Sequence, residues 1–395
     1  MGPVNPPSFG MRRQLDLYST EPAQPVLVER LRARAAEVLD PRAWGYLEGA
    51  AGSEDTARAN LEAFRRWRIV PRVLRGVERP DLGIDLLGQR LRSPLLLAPI
   101  GVQGILHPHG ELAVARAAAA LGVPMVLSSA SSSTLEDVAA TLADQPRWFQ
   151  LYWSRDREFA ASLLGRAASA GYSAVVVTLD TMQLGWRPRD LDQAYLPFLE
   201  GEGLANYLSD PVFRAGLDRT PEADPAAARR RFSQLFADPS LTWDDLPFLR
   251  EHTALPILLK GVLHPDDARR SIDCGADGVI VSNHGGRQID GAIAALDALP
   301  DVVSAIGGRV PVLFDSGIRQ AADVVKAIAL GARAALVGRP YAYGLAVRGE
   351  DGVRDVLHNL LAELDLTLSL GGWRSPAEIG RDAVVRDPTA SGSPG

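Results

Sequence analysis

His284 is the residue of this 395-residue chain whose surroundings most clearly suggest chemistry. It lies in residues 282–288, SNHGGRQ, where Gly285 and Gly286 permit close backbone approach and Arg287 follows three positions later. Histidine can take a proton from a substrate, and the planar guanidinium of arginine holds a carboxylate with two hydrogen bonds. The segment therefore predicts proton abstraction from a substrate that carries a carboxylate. Taken alone, His284 has a structural role as its alternative.

Asp180 ends an apolar stretch at residues 174–180, and Arg187 follows it in LDTMQLGWRPRD. A buried carboxylate stabilises the protonated form of a neighbouring imidazole, so we expect Asp180 to hold the imidazolium form of His284. Arg187 is then a second guanidinium for the substrate carboxylate. The structural alternatives are a helix cap for Asp180 and a surface salt bridge for Arg187.

Two glycine-rich turns predict a phosphate site. Residues 314–319, FDSGIR, and residues 337–340, VGRP, each follow an apolar stretch. In a barrel, turns at these places bind phosphate through backbone N–H groups and a helix N-terminus, and Arg319 and Arg339 add positive charge. A phosphorylated sugar or any phosphate-bearing cofactor would satisfy this pattern.

Lys260 ends the apolar stretch ILLK and is compatible with two mechanisms. It could form an imine with a carbonyl substrate, or it could place a positive charge against an electron-rich cofactor ring. These residues alone leave both mechanisms open. His107 and His109 have no further ligand at zinc spacing, so no metal site is predicted.

Eight apolar stretches, separated by helix-like segments, must position these side chains. They are residues 95–99, 125–129, 148–152, 174–180, 257–260, 278–283, 312–315 and 335–338. Continuous rather than alternating hydrophobicity predicts strands buried on both faces, and the intervening helices predict parallel connections. The pattern therefore predicts an α/β fold, a (β/α)8 TIM barrel. An open doubly wound sheet is the alternative, but no G-x-G-x-x-G follows the first stretch.

Polar residues stand at or just past the carboxyl ends of these stretches. They are Ser128, Gln150, Tyr152, Thr178, Asp180, Lys260, Ser282, His284, Asp315 and Arg339. The carboxyl ends of barrel strands converge on one pocket, so we expect these ten residues to form a single site. Each strand-end Ser or Thr taken singly could instead cap a helix.

The rest of the chain divides around the barrel. We expect residues 1–90 to form an N-terminal helical cap, residues 91–380 the barrel, and residues 381–395 a mobile tail. Residues 182–242, called the insertion below, separate the fourth and fifth predicted strands. A connection of this length after a barrel strand overhangs the catalytic face, so the insertion is expected to act as a lid.

Composition narrows the class of protein. The 46% hydrophobic and 23% charged residues are ordinary globular values, and the net charge of −6 argues against a nucleic-acid partner or an anionic membrane. The single cysteine, Cys274, cannot form an internal disulfide, which fits a reducing compartment. The sequence has neither a membrane-spanning stretch nor a signal-peptide pattern, so a cytoplasmic location is expected.

Seven segments together resemble the FMN-dependent L-2-hydroxy acid oxidase and dehydrogenase family. They are LLLAPIG, FQLYW, VVVTLDT, ILLKGV, VSNHGGRQ, LFDSGIR and VGRPYAYG, in family order between residues 44 and 373. LDTMQLGWRPRDL, NYLSDPVF, TWDDL and HPDDARR are most similar to the lactate 2-monooxygenase branch. The resemblance implies FMN as cofactor and oxidation of a small, lactate-like L-2-hydroxy acid by O2 to the 2-keto acid. If the insertion retains the keto acid, peroxide would convert it in the site, so that lactate yields acetate, CO2 and water.

The resemblance also implies a role for each site residue. The catalytic and substrate-binding set, in which His284 is the base, is His284, Asp180, Tyr46, Tyr152, Arg187 and Arg287. The flavin ring would contact Pro99, Ile100, Gly101, Ser128, Gln150, Thr178 and Lys260. The ribityl chain and phosphate would contact Ser282, Asp315, Ser316, Gly317, Arg319, Gly338 and Arg339. Lys260 is then a cation that tunes the flavin, and the barrel lyase or isomerase with an imine-forming Lys260 becomes a remote alternative.

One departure from the family pattern bears on the substrate. Ala130 stands where relatives carry a larger side chain, which suggests a roomier substrate pocket. The alternative activity is therefore a simple oxidase that releases peroxide and acts on a larger or aromatic substrate such as mandelate. By resemblance, the chain is expected to form a homotetramer or octamer.

Overall fold

The computed structural model describes residues 6–387 and contains a closed barrel of eight parallel strands. The strands are Leu95–Leu97, Met125–Ser128, Arg147–Tyr152, Val175–Thr178, Ile257–Lys260, Gly278–Val281, Val312–Phe314 and Ala334–Val337. Each strand pairs with its neighbours in chain order, and the eighth closes on the first through Ala335 opposite Leu95. The predicted TIM barrel is confirmed.

Alternate residues of each strand face the two sides of the barrel wall. One set packs inside the barrel with a hairpin formed by Ile84–Leu86 and Gln89–Leu91, and the other packs against the surrounding helices. The inner set consists of Leu96, Ala98, Val126, Trp148, Ala174, Val176, Leu258, Ile280, Leu313, Ala334 and Leu336. Arg333 donates from Nε to the carbonyl of Asp85 at 3.0 Å, so the hairpin lies at the amino-terminal end of the strands. The opposite, carboxyl-terminal end is left for the site.

Helices surround the barrel. They are Gly110–Leu121, Leu135–Leu142, Arg157–Ser169, Leu246–His252, Pro265–Asp273, Ala295–Ile306, Ala321–Ala329 and Arg339–Gly371. Side-chain caps fix where several begin: Thr134 accepts the N–H of Asp137 at 3.2 Å, and Asp156 accepts that of Phe159 at 3.1 Å. Before the barrel come the helices Phe9–Ser19, Val28–Val38, Pro41–Glu48 and Asp55–Arg65. None of the helices in residues 6–387 is long and apolar enough to cross a membrane.

The insertion connects the fourth and fifth strands and is anchored to the barrel. It contains five short helices, Pro188–Asp192, Pro197–Glu200, Ala205–Leu208, Pro211–Ala215 and Pro225–Leu235. Asn206 is fully buried, donates to Ser131 Oγ at 2.9 Å, and accepts the N–H of Leu135 at 2.8 Å. Asp210 is also fully buried and accepts from Ser162 Oγ at 2.7 Å. These bonds hold the middle of the insertion against the outer helices.

Two expected boundaries differ from the structure. The hairpin crosses the expected division between residues 90 and 91, because its second strand must pair with the first to cover the barrel end. Residues 381–387 do not form a tail: a turn at Arg381–Ala383 leads into a strand, Val384–Arg386, that pairs antiparallel with Trp67–Ile69. The rest of the expected tail, residues 388–395, lies outside the described residues.

Candidate active site

The carboxyl ends of the strands surround one cavity of about 1050 Å³, counting its open mouth. Most of the residues implicated by the sequence line it, and they come from at least five different strand ends and from the N-terminal cap. They are Tyr46, Pro99, Ile100, Gly101, Tyr152, Arg187, Lys260, His284, Arg287, Asp315, Ser316, Gly317, Arg319, Gly338 and Arg339. Of the ten strand-end residues expected to form one site, Tyr152, Lys260, His284, Asp315 and Arg339 line this cavity.

Six implicated residues stand behind the lining. They are Ser128, Ala130, Gln150, Thr178, Asp180 and Ser282. Gln150 donates from Nε2 to Thr178 Oγ1 at 2.9 Å, which orients its amide at the end of the third strand. Ala130 is 1% exposed, and its carbonyl accepts the N–H of Val102 at 2.9 Å. Ala130 thus lies directly behind the lining, and the larger pocket expected from a small residue at position 130 stays a prediction.

His284 and Asp180 form a hydrogen-bonded pair. His284 Nδ1 lies 2.8 Å from Asp180 Oδ1, and the hydroxyl of Thr181 donates to the same oxygen at 3.0 Å. Burial alone would raise the pKa of Asp180, but the charges of His284 and Lys260 outweigh it and lower that pKa to about 2. Burial, together with the positive charges of Lys260 and Arg187, lowers the pKa of His284. The pair is therefore an ionised carboxylate and a neutral imidazole whose Nδ1–H donates to Asp180, which leaves Nε2 as a base.

Residues 283–286, called the catalytic turn below, hold His284 in an unusual backbone conformation. The φ angle of His284 is 57°, in the left-handed region that residues other than glycine rarely adopt. Gly286 has φ of 80°, and a Cβ there would lie 2.6 Å from the backbone nitrogen of Ala57. The turn can therefore approach the N-terminal cap only with glycine at this position.

Arg187 and Arg287 bring two guanidinium groups to the same side of the cavity. Arg187 Nη2 donates to Gln288 Oε1 at 2.8 Å, and Arg287 Nη1 donates to the carbonyl of Tyr46 at 2.7 Å. Within residues 6–387 neither arginine forms an ion pair, although Asp190 acts on both at longer range. Burial and the charge of Arg187 lower the pKa of Arg287 to about 9, so it stays positive at neutral pH. Two buried cations without a paired carboxylate fit an anionic substrate group.

Lys260 lies at the end of the fifth strand and is 3% exposed. Its Nζ is 3.2 Å from Asp315 Oδ2 and donates to Ser282 Oγ at 3.0 Å. Burial would lower the pKa of Lys260, but the carboxylates of Asp315 and Asp180 raise it above the ordinary value. A protonated lysine is not a nucleophile, so this environment opposes the imine-forming alternative and favours a fixed cation beside a cofactor.

Arg319 and Arg339 add two further guanidinium groups to the cavity lining, and Arg339 shares the Gly49 carbonyl with Arg287. Arg339 also donates to the carbonyls of Leu47 at 3.2 Å and Gly285 at 3.2 Å, and the Arg319 guanidinium donates to the adjacent Ile318 carbonyl. Burial and the neighbouring Arg339 lower the pKa of Arg319. A helix begins at Arg339, so the positive end of its dipole lies at this turn. This region has the donors that a phosphate requires.

The set of these groups fits FMN. Arg319 and Arg339 are donors for a phosphate, the Lys260 cation and the buried Gln150 amide stand at the carboxyl ends of the fifth and third strands, and the His284 base lies in the same cavity as Arg187 and Arg287. Gly317, with φ of 97°, keeps the phosphate turn close to the N-terminal cap, since a Cβ there would lie 2.8 Å from the carbonyl oxygen of Asn60. Bound at this site, FMN supplies a two-electron acceptor next to the substrate anion site.

Several neighbours of the site were not anticipated from sequence. Thr181 bonds both members of the His284–Asp180 pair, and Gln288 holds Arg187 while donating to the Asp180 carbonyl at 2.8 Å. Both stand directly beside motif residues, which is the signal that could have identified them. Phe198 and Phe236 reach the cavity from the insertion, with ring centroids 5.3 Å apart. No local motif marks these two phenylalanines.

Comparisons with known proteins agree with this geometry. The FMN-dependent dehydrogenase family profile matches residues 35–386. The chain is 48% identical to the FMN-dependent alpha-hydroxy acid dehydrogenase qulF of Penicillium citrinum, over 92% of this chain and 90% of that protein. It is 44% identical to the L-lactate oxidase of Lysinibacillus sphaericus, over 89% of this chain and 90% of that protein. A crystal structure of mandelate oxidase superposes with a TM-score of 0.81 at 39% identity, covering 92% of this chain and 99% of that one. The chain belongs to the FMN-dependent dehydrogenase family.

Proposed function

We propose that this protein is an FMN-dependent oxidoreductase that oxidises a small L-2-hydroxy acid to the 2-keto acid with O2 as electron acceptor. The observation that carries the proposal is the hydrogen-bonded His284–Asp180 pair, 2.8 Å apart, beside a cavity that His284 shares with the guanidinium groups of Arg187 and Arg287. A carboxylate and an adjacent hydroxyl are the groups that such an arrangement recognises. Relatives named L-lactate oxidase and 2-hydroxyacid oxidase 1 support this class of substrate.

Each of the site's side chains has a separate role in the proposed reaction. Arg187 and Arg287 bind the carboxylate and so orient the substrate, because their fork-shaped donors match its two oxygens. Tyr152 stays protonated as a hydrogen-bond donor, since burial raises its pKa well above the ordinary value. His284 Nε2 takes the proton released on oxidation, and Asp180 stabilises the imidazolium that results.

We further propose that lactate is the substrate and that the keto acid is decarboxylated before it leaves. Lactate and O2 would then yield acetate, CO2 and water. The support is the insertion, which covers the cavity with Phe198 and Phe236 and is tied down by the buried Asn206 and Asp210. A cover that rarely opens would keep keto acid and peroxide together long enough to react.

A second candidate is a peroxide-releasing oxidase of aromatic hydroxy acids. Its support is the apolar wall formed by Leu184, Phe198 and Phe236 on the insertion side of the cavity. Aromatic rings would pack favourably against these phenylalanines. The structural similarity to mandelate oxidase supports the same candidate.

A single-turnover experiment distinguishes the two. The FMN-loaded protein is reduced anaerobically with L-lactate or L-mandelate, exposed to O2, and assayed for peroxide, CO2 and the organic product; the D-isomers serve as controls. CO2 and acetate with little peroxide support the lactate monooxygenase activity, and peroxide with intact keto acid supports the oxidase. Absence of flavin reduction by every 2-hydroxy acid would refute both. Light scattering in the same preparation tests the proposed tetramer or octamer.

A further inference from the structure

Ser316 lies in the turn after the seventh strand in a conformation that favours glycine. Its φ angle is 84°, and the adjacent Gly317 has φ of 97°. A serine in this region of φ carries backbone strain that glycine would avoid. The side chain is 8% exposed, so solvent exposure does not explain its presence. We therefore expect the hydroxyl to form hydrogen bonds whose stabilisation offsets the strain.

The hydroxyl of Ser316 holds the catalytic turn. Its Oγ accepts the N–H of Asn283 at 3.3 Å and the N–H of Gly285 at 3.1 Å, the residues on either side of His284. The N–H of His284 itself donates to Ser282 Oγ at 3.0 Å. Ser316 thus satisfies two of the turn's backbone donors while His284 is held at a φ angle of 57°.

The same hydroxyl reaches the cation beside the flavin site. Ser316 Oγ donates to Asp315 Oδ1 at 2.9 Å, and Asp315 Oδ2 lies 3.2 Å from Lys260 Nζ. A serine hydroxyl has one hydrogen to donate and two lone pairs to accept, and these three contacts use all of them. In this structure the hydroxyl therefore has its full hydrogen-bonding capacity engaged by protein groups.

We propose that Ser316 is a positioning residue that fixes His284 by bridging the catalytic turn to the Asp315–Lys260 pair. It does not touch the substrate. It sets the orientation of the base relative to the flavin cation, so that loss of the hydroxyl releases the turn while Arg187, Arg287, Lys260, Arg319 and Arg339 keep their side chains. The inference rests on the proposed role of His284 as the base.

The test compares Ser316→Gly and Ser316→Ala in the FMN-loaded protein. Glycine removes the hydroxyl and the strain together, whereas alanine removes the hydroxyl and keeps the strain. We expect Ser316→Gly to melt at a higher temperature than Ser316→Ala and to bind FMN within about threefold of the parent, because the phosphate donors are intact. Anaerobic flavin reduction by the 2-hydroxy acid should nevertheless slow by at least about tenfold at saturating substrate, because the base is no longer held in place. The pH at which the rate of flavin reduction rises should also change. The pKa of His284 depends on its distance from Asp180, Lys260, Arg187 and Thr181, and a released turn alters those distances.

Hydrogen exchange gives a measurement that does not depend on turnover. Peptides covering residues 282–288 should exchange faster in both Ser316 variants, because two backbone N–H groups lose their acceptor. Ser271→Ala is the matched control: this serine is also fully buried, but it bonds to the Asp267 carbonyl on an outer helix. It should leave the exchange of residues 282–288 and the flavin reduction rate unchanged.

The outcomes separate the two proposals. Parental flavin reduction and parental exchange in Ser316→Gly would overturn the positioning role, and so would loss of FMN binding, because the hydroxyl would then serve the cofactor. If the parent protein itself is not reduced by any 2-hydroxy acid, the proposed function fails. Hydrogen exchange at residues 282–288 still decides whether Ser316 holds the turn.

Discussion

Replacing Asp180 with Asn measures how much the carboxylate contributes to the His284 base. The pKa of Asp180 falls from its ordinary 3.8 to about 2 because the positive charges of His284 and Lys260 outweigh burial. That lowering corresponds to on the order of 2 kcal/mol, or roughly 30-fold in rate if all of it stabilised the imidazolium. The charge of Lys260 contributes part of the lowering. We therefore expect Asp180→Asn to slow flavin reduction by about 10- to 30-fold while FMN stays bound.

The assay is anaerobic stopped-flow reduction of the flavin by saturating L-2-hydroxy acid across a range of pH. A base acts in its neutral form, so the rate rises with pH through the pKa of His284. Loss of the Asp180 charge lowers that pKa, which moves the rising limb to lower pH while the plateau drops. Asp81→Asn is the control, because its exposed ion pair with Arg90 lies in the segment leading to the hairpin. A rate within about threefold of the parent and an unmoved pH limb would refute the charge-stabilisation argument.

Four further predictions follow from the site and the core. Arg287→Lys should raise KM at least about tenfold for the acid, because a lysine cannot form the two-pronged contact, while binding of the corresponding neutral amide changes little. Lys260→Met should weaken sulfite addition to the flavin at least about tenfold, since the cation that balances the resulting negative charge is gone; unchanged sulfite affinity would contradict its assignment. Phe236→Leu should lower kcat/KM for mandelate relative to lactate, because an aromatic substrate loses a ring to pack against, and an unchanged ratio would show that this ring does not contact the substrate. Phe314→Ala should reduce the free energy of unfolding by about 3–5 kcal/mol, measured by urea denaturation, because the side chain is fully buried against Phe64.

The strands and several helices could be predicted from sequence because their signals are local. A strand buried on both faces must be continuously apolar, and each of the eight predicted stretches overlaps a barrel strand. The helix Pro265–Asp273 shows such a signal, since proline and two aspartates at its start favour a first helical turn. The helix Phe9–Ser19 was not anticipated, and its sequence has charged and polar residues among few apolar ones.

The membership of the site was also largely readable from sequence. The carboxyl ends of parallel strands meet at one end of a barrel, so the position of Asp180, Lys260 and His284 along the chain already implies that they lie close together. Once the strands are recognised, the barrel topology places their carboxyl ends together. The resemblance of the motifs then supplied the cofactor, and the family match agrees with it.

Tertiary structure alone decided the interactions between residues far apart in the chain. Ala130 lies behind the lining rather than in it, and Phe198 and Phe236 enter the cavity only because the insertion folds back over the barrel. The hydroxyl of Ser316 meets the catalytic turn across a gap of more than thirty residues in sequence. The physical reason is that periodicity reports which face of an element is buried, whereas packing and hydrogen bonds between elements depend on three-dimensional contacts that no local pattern encodes.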